Sequence, residues 1–90
     1  MEYESLVKPP VSERLKSGRV RLKAGEEVGL HKTDEREELL VVLSGTLIVV
    51  QGLKRSVLSR RGALFIPRNV MHNVLCEEGN AEYIYVVSLL

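Results

Sequence analysis

Residues 25–45 read Gly25-Glu26-Glu27-Val28-Gly29-Leu30-His31-Lys32-Thr33-Asp34-Glu35-Arg36-Glu37-Glu38-Leu39-Leu40-Val41-Val42-Leu43-Ser44-Gly45. The stretch holds His31, one of the 2 histidines in the chain. The other, His72, follows the turn signals Pro67 and Asn69. In a strand, residues two apart share a face, with Cα atoms ~6.5–7 Å apart, so His31 and Thr33 point the same way. The polar segment Asp34-Glu35-Arg36-Glu37 turns the chain, and Glu38 opens the next strand facing back toward His31. A carboxylate beside so apolar a run points inward, and once buried it must be neutralised, paired or bound to metal. His72 enters from a later strand. Two imidazoles and one carboxylate suit a borderline divalent metal, as in the facial site of non-haem Fe(II) enzymes, and Zn, Mn, Ni and Co accept the same donors. The alternative is an empty barrel in which the three side chains form a hydrogen-bonded cluster.

Outward from this stretch, turn signals recur every eight to twelve residues: Ser17-Gly18, Ala24-Gly25, Ser44-Gly45, Gln51-Gly52, Arg61-Gly62, Arg68-Asn69 and Gly79-Asn80. Short runs rich in β-branched residues lie between them, the rhythm of an all-β barrel or sandwich. The expected strands are 19–24, 28–33, 38–43, 46–50, 53–59, 63–66, 71–76 and 81–89, with no long helix. In the first, Val20, Leu22 and Ala24 alternate with Arg19, Arg21 and Lys23. Pro9-Pro10 makes residues 1–17 an extended segment and a poor helix, with one turn at most over 12–16. The chain of 90 residues reads as one domain, with the barrel over 18–90.

Composition sets limits on function. A formal charge of +1 gives no pull toward nucleic acid or an anionic membrane surface. The run Leu39-Leu40-Val41-Val42-Leu43 is far short of the ~20 residues that span a bilayer. The acidic start lacks the basic and apolar regions of a signal peptide, and a lone Cys76 makes no disulfide framework. These features favour a soluble cytoplasmic protein.

Three segments break the expected alternation. Leu39 to Leu43, Leu47 to Val50, and Ile84 to Leu90 apart from Ser88 are apolar on both strand faces. A small barrel has one interior, so the outward set needs a cover. A homodimer packed through these strands supplies it; the alternative is that Tyr3 to Val11 folds back over that face.

Residues 25–45 resemble the first cupin motif: Gly, five residues, His-x-His, three or four residues, Glu, six residues, Gly. Every landmark agrees except the second His, which is Thr33. Residues 62–76 resemble the second cupin motif, with Gly62, Pro67 and His72 in place. Asn69 stands where Gly is usual and tolerates the same left-handed backbone, Cys76 stands where Asn is usual, and the gap from Gly62 to Pro67 is one residue shorter. The resemblance covers about half the chain. It implies a small single-domain cupin of the conserved-barrel type: a double-stranded β-helix (jelly-roll barrel), usually dimeric, with one metal inside, held here by His31, Glu38 and His72. Thr33 then has two readings, a hydroxyl holding a metal-bound water or a site that has lost its metal.

The implied functions fall into separate classes. One is a metalloenzyme of dioxygenase, isomerase or decarboxylase type acting on a small polar molecule. A second is a non-catalytic module that binds a small ligand or metal, and a third is a structural dimer with a vestigial site. Thr33, Tyr83 and Tyr85 are candidates to line the site; the tyrosines otherwise fill core and interface. Phe65 and Met71 read as core. Cys76 reads as a small buried side chain, since four residues along a strand is ~13 Å, too far from His72 to share a metal.

Overall fold

The computed structural model describes residues 1–89. Nine strands form two antiparallel sheets: β1 (Glu2–Val7), β2 (Leu15–Lys23), β3 (His31–Lys32), β4 (Glu38–Ser44), β5 (Leu47–Gln51), β6 (Lys54–Leu58), β7 (Ala63–Ile66), β8 (Met71–Leu75) and β9 (Asn80–Ser88). One sheet runs β1-β2-β9-β4-β7 and the other β3-β8-β5-β6. Their inner faces close on Val20, Leu22, Leu40, Val42, Leu47, Val49, Ile66, Val74 and neighbours. This is the expected all-β jelly-roll architecture, and no helix long and apolar enough to cross a membrane is found among the described residues.

Three differences from the sequence reading have physical reasons. First, the N-terminal segment carries a strand. β1 pairs with β2 so that Glu4 lies opposite Arg19 and Glu2 opposite Arg21, and both pairs form ion pairs at 3.5 Å. Cross-strand opposite charges of this kind pin register. β1 therefore extends the edge of the sheet and leaves its outer face uncovered. Second, Ser17-Gly18 is not a turn but the middle of β2. Gly18 sits opposite Tyr85, and a Cβ there would lie 2.5 Å from the Tyr85 hydroxyl oxygen. The glycine makes room for a ring instead of bending the chain. Third, the strand expected over 28–33 shrinks to His31–Lys32. The segment still runs beside β8, with Val28 N–H donating to Val74 C=O. Gly29 (φ +107°) breaks the ladder, its N–H donating instead to Asn73 Oδ1.

The doubly apolar strands divide into two cases. On β5, the outward Ile48 is only 4% exposed, because it lies between Val57 and Leu75 in the pairing. On the five-stranded sheet the outward residues form uncovered rows. Phe65, Leu39 and Val86 align in one row, and Ala63, Val41 and Ile84 in the next. Phe65 and Met71, expected in the core, are 51% and 44% exposed. The inward placement of Ile66 and of His72 forces each to the opposite face of its strand. Leu90 lies outside the described residues.

Gly45 is held by sterics. Its φ is +74°, and a Cβ would stand 2.0 Å from the carbonyl oxygen of Asn80. Gly52 (φ +58°) has open space around it. Gly45→Ala is therefore expected to destabilise the fold by about 3 kcal/mol or more, and Gly52→Ala by about 1 kcal/mol from backbone strain alone. Urea unfolding of the two variants reads the difference.

Candidate metal centre

The two sheets bring His31, Glu38 and His72 together, one potential ligand atom from each lying within 4.8 Å of the others. His31 and His72 are direct cross-strand partners on β3 and β8, their ring centroids 4.0 Å apart in an edge-on arrangement. Glu38 comes from the opposite sheet, on the same side of β4 as Leu40 and Val42. Strand pairing sets both imidazoles side by side, and closure of the barrel sets the carboxylate against them.

Each imidazole is oriented the same way. His31 Nδ1 lies 2.8 Å from Gly29 C=O and His72 Nδ1 lies 3.1 Å from Val70 C=O. A carbonyl only accepts, so both Nδ1 atoms carry the proton and donate it. In the neutral rings, both Nε2 atoms then carry a bare lone pair. This is the tautomer that metal-binding histidines adopt, with the other ring nitrogen fixed by a second partner. His72 is 1% exposed, and its Nε2 has no hydrogen-bond partner of good geometry. It faces Glu38 Oε2 at 3.3 Å. A lone pair facing a carboxylate oxygen in a buried site is repulsive unless a positive centre lies between them. A proton serves: burial pushes the His72 pKa down, but the Glu38 carboxylate and the Val70 carbonyl outweigh it and the net direction is up. A divalent cation serves as well, displacing that proton. The donor set fits a metal on this ground.

Thr33, in the place of the expected additional ligand, has a different job. Its hydroxyl donates to Pro67 C=O at 2.7 Å and accepts from Val70 N–H at 3.0 Å. The hydroxyl proton and one lone pair of the oxygen are thus committed to the backbone. Thr33 ties the start of the β3–β4 loop to the β7–β8 turn, where Asn69 takes φ +57° and donates its N–H to Asp34 C=O. Cys76 is buried at the far end of β8, its Sγ 3.2 Å from Glu78 C=O.

The three candidate ligands open onto a cavity of about 250 Å³. Tyr83 and Tyr85 line it, as does Tyr3 from β1. Burial, reinforced by the nearby Glu38 charge, raises the Tyr83 and Tyr85 pKa values, keeping both phenols protonated. Sequence reasoning missed Tyr3, Lys16, Lys32 and Arg36 at this cavity. Tyr3 and Lys16 lie in residues 1–17, read as an extended segment outside the barrel. Tyr3 alternates with Glu2 and Glu4, just as Val20 alternates with Arg19 and Arg21. That match was the available signal for an added strand with Tyr3 facing inward.

The family model described as the cupin domain matches residues 18–88. The chain is a cupin. Solved structures agree with this at the level of fold. The cupin domain of Cnp3 from Schizosaccharomyces pombe superposes with a TM-score of 0.86 at 17% identity, covering 98% of this chain and 64% of that one. A predicted oxalate decarboxylase from Thermotoga maritima gives 0.89 at 21% identity, covering 98% and 79%. KdgF from Halomonas sp. gives 0.85 at 19% identity, covering 98% and 77%. This cupin thus spans less than two thirds of the Cnp3 chain. At these identities the likeness shows the fold and carries no chemistry across. No curated protein matches the sequence.

If Thr33 is a clasp and not a ligand, Thr33→Val leaves Val70 N–H and Pro67 C=O without their partner. The fold is expected to lose about 1–3 kcal/mol while metal content is unchanged. Urea unfolding and elemental analysis of the same preparation read both.

Proposed function

We propose that this cupin holds one divalent metal ion through His31 Nε2, His72 Nε2 and the Glu38 carboxylate, and that it acts on a small polar molecule admitted to the cavity above them. The observation that carries the reading is the paired orientation of the imidazoles. Both donate Nδ1–H to a carbonyl two residues earlier, which leaves both Nε2 atoms bare; His72 Nε2 faces the Glu38 carboxylate, and a ligand atom of His31 lies within 4.8 Å of both. Iron, manganese, zinc, nickel and cobalt all accept such donors. A bound metal supplies Lewis acidity toward a carbonyl or enolate oxygen, or a site for dioxygen, at positions the three side chains leave open.

The remaining residues bind and orient. Tyr83 and Tyr85, kept protonated, offer hydroxyl donors, and Val20, Val28 and Val74 make the floor apolar. The one cavity carboxylate besides Glu38 is Asp34, exposed at the rim. Among the described residues it is the one cavity carboxylate outside the ligand set that could serve as a base. That arrangement suits a dioxygenase, isomerase or decarboxylase in which the metal does most of the activation. The same lack of dedicated acid–base groups favours a second reading, a module that binds its ligand without turnover. A single buried thiol suits a reducing compartment, and we place the protein in the cytoplasm.

Protein made without an affinity tag is expected to contain stoichiometric metal by elemental analysis. His31→Ala and His72→Ala should each lose it while keeping the β-rich circular dichroism of the wild type. Metal retained in both folded variants rejects the ligand assignment.

We also propose that a second copy of the chain covers the outer face of the five-stranded sheet. The row Phe65–Leu39–Val86 carries no charge, and the row Ala63–Val41–Ile84 meets charge only where it runs on to the Arg19–Glu4 pair at the sheet edge. The N-terminal segment that offered an internal cover is instead placed at the sheet edge. A face of this kind is self-complementary about a two-fold axis. Sedimentation should give a dimer at micromolar concentration for the wild type and a monomer for Leu39→Glu; a monomeric wild type would refute the assembly.

A further inference from the structure

Around the mouth of the metal cavity the charge is uneven. Lys16 from β2, Lys32 from β3 and Arg36 from the β3–β4 loop all line it, against one rim acid, Asp34. Among the described residues, none of the three cations forms an ion pair with a carboxylate, whereas Arg19, Arg21 and Arg55 all do. A divalent ion beside Glu38 adds net positive charge. With such an ion bound, the cavity would be cationic at both its floor and its rim, in a chain whose net charge is only +1.

Register fixes the spacing of these charges. Lys16 pairs with Val87, and Val87 pairs with Glu38. The three lie in one row on the inner face of the sheet, so Lys16 and Glu38 are two strand spacings apart, about 10 Å between Cα atoms. Both residues line the same cavity, and the separation of their strands matches a molecule a few carbon atoms long. The next row inward is Gly18, Tyr85 and Leu40. Because Gly18 has no side chain, the Tyr85 ring lies across β2 with its hydroxyl over Gly18, two residues from Lys16. Lys16 and the Tyr85 hydroxyl thus belong to the same wall of the cavity, the five-stranded sheet, while the imidazoles come from the four-stranded sheet.

We infer that the cavity takes a small organic dianion, one anionic group bound beside His31, Glu38 and His72 and the other held by Lys16 with a hydrogen bond from Tyr85. The inference rests on the metal reading above and adds the charge and bipolar shape of the ligand. Lys32 and Arg36 supply a positive approach to the mouth, and electrostatic focusing of this kind raises the local concentration of anions.

The test is calorimetric titration of the full-length, metal-loaded protein with malonate, succinate and glutarate, with butyrate as the monoanionic control. Metal content is read first on the same sample. Stoichiometric metal and at least one diacid binding about tenfold or more tighter than butyrate are expected. Lys16→Gln should weaken that diacid roughly three- to fivefold, the scale of a partly exposed ion pair, and leave butyrate unchanged. Gly18→Ala should displace Tyr85 and weaken the diacid while Lys16 stays in place. Substoichiometric metal overturns the metal reading and this inference with it. Full metal with no diacid preferred over butyrate overturns the inference alone. So does a Lys16→Gln variant that binds the diacid as the wild type does, or that loses diacid and butyrate equally.

Discussion

Everything at the centre of this barrel depends on one contact that is unfavourable when left to itself. Glu38 Oε2 and His72 Nε2 face each other at 3.3 Å in a site where His72 is almost wholly buried. With Nδ1 committed to Val70 C=O, a neutral ring presents electron density to a carboxylate. The fold does not relieve this by rotating either group away. The imidazole is fixed by its carbonyl partner and by its strand neighbour His31, and the carboxylate is carried on a central strand whose next inward residues, Leu40 and Val42, are core. Strand pairing and core packing together impose the approach, so a positive centre must complete it. A metal ion held there would compete with the proton, and its affinity would fall on acidification as His72 takes the proton up.

The departures from the cupin pattern are consistent with this site. Thr33 gives up a potential ligand, but its hydroxyl bridges Pro67 C=O and Val70 N–H. Val70 is also the residue whose carbonyl holds His72 Nδ1. The clasp therefore acts two residues from the imidazole and steadies the turn that delivers it. Asn69 reaches the left-handed conformation that a glycine would adopt more freely, and its N–H is tied to Asp34 C=O. With Thr33 tied to the backbone, a metal held by the three remaining side chains would keep more of its coordination sphere open, and Thr33 and Asn69 join the β3–β4 loop to the β7–β8 turn.

Much of the fold was legible because period-two alternation and turn spacing are local. The run around Val20 declares one buried face, and Gly45 and Asn69 mark turns whose backbone excludes most side chains. The three candidate ligands were legible for a related reason: the motif spacing places them at strand starts, and strand starts are set by turns. Other features were not legible because they are relations between distant strands. Gly18 looks like a turn residue until Tyr85 is set opposite it. Tyr3 and Lys16 reach the cavity only once β1 has been added beside β2 and the register of β2 on β9 is known. Phe65 and Met71 are large and apolar, and composition sends them inward. Alternation overrides composition, because Ile66 and His72 have the stronger claim on the interior.

The two faces of the five-stranded sheet meet at β4 and β9. Glu38 and Tyr85 face the cavity, while Leu39 and Val86, the next residues along the same strands, form the uncovered apolar row. Strands transmit position through their backbones, so a load on one face constrains the other. A second copy seated on Leu39, Val86 and Phe65 would hold the backbone that sets Glu38 against His72 and lays Tyr85 over Gly18. In a domain this small, where burial per residue is limited, that support matters. Apolar area covered by a second copy would add stability from outside the barrel without adding bulk to the cavity. On this reading assembly and site are one mechanical unit, the outer face supplying rigidity that the inner face, made partly polar for its chemistry, cannot supply alone.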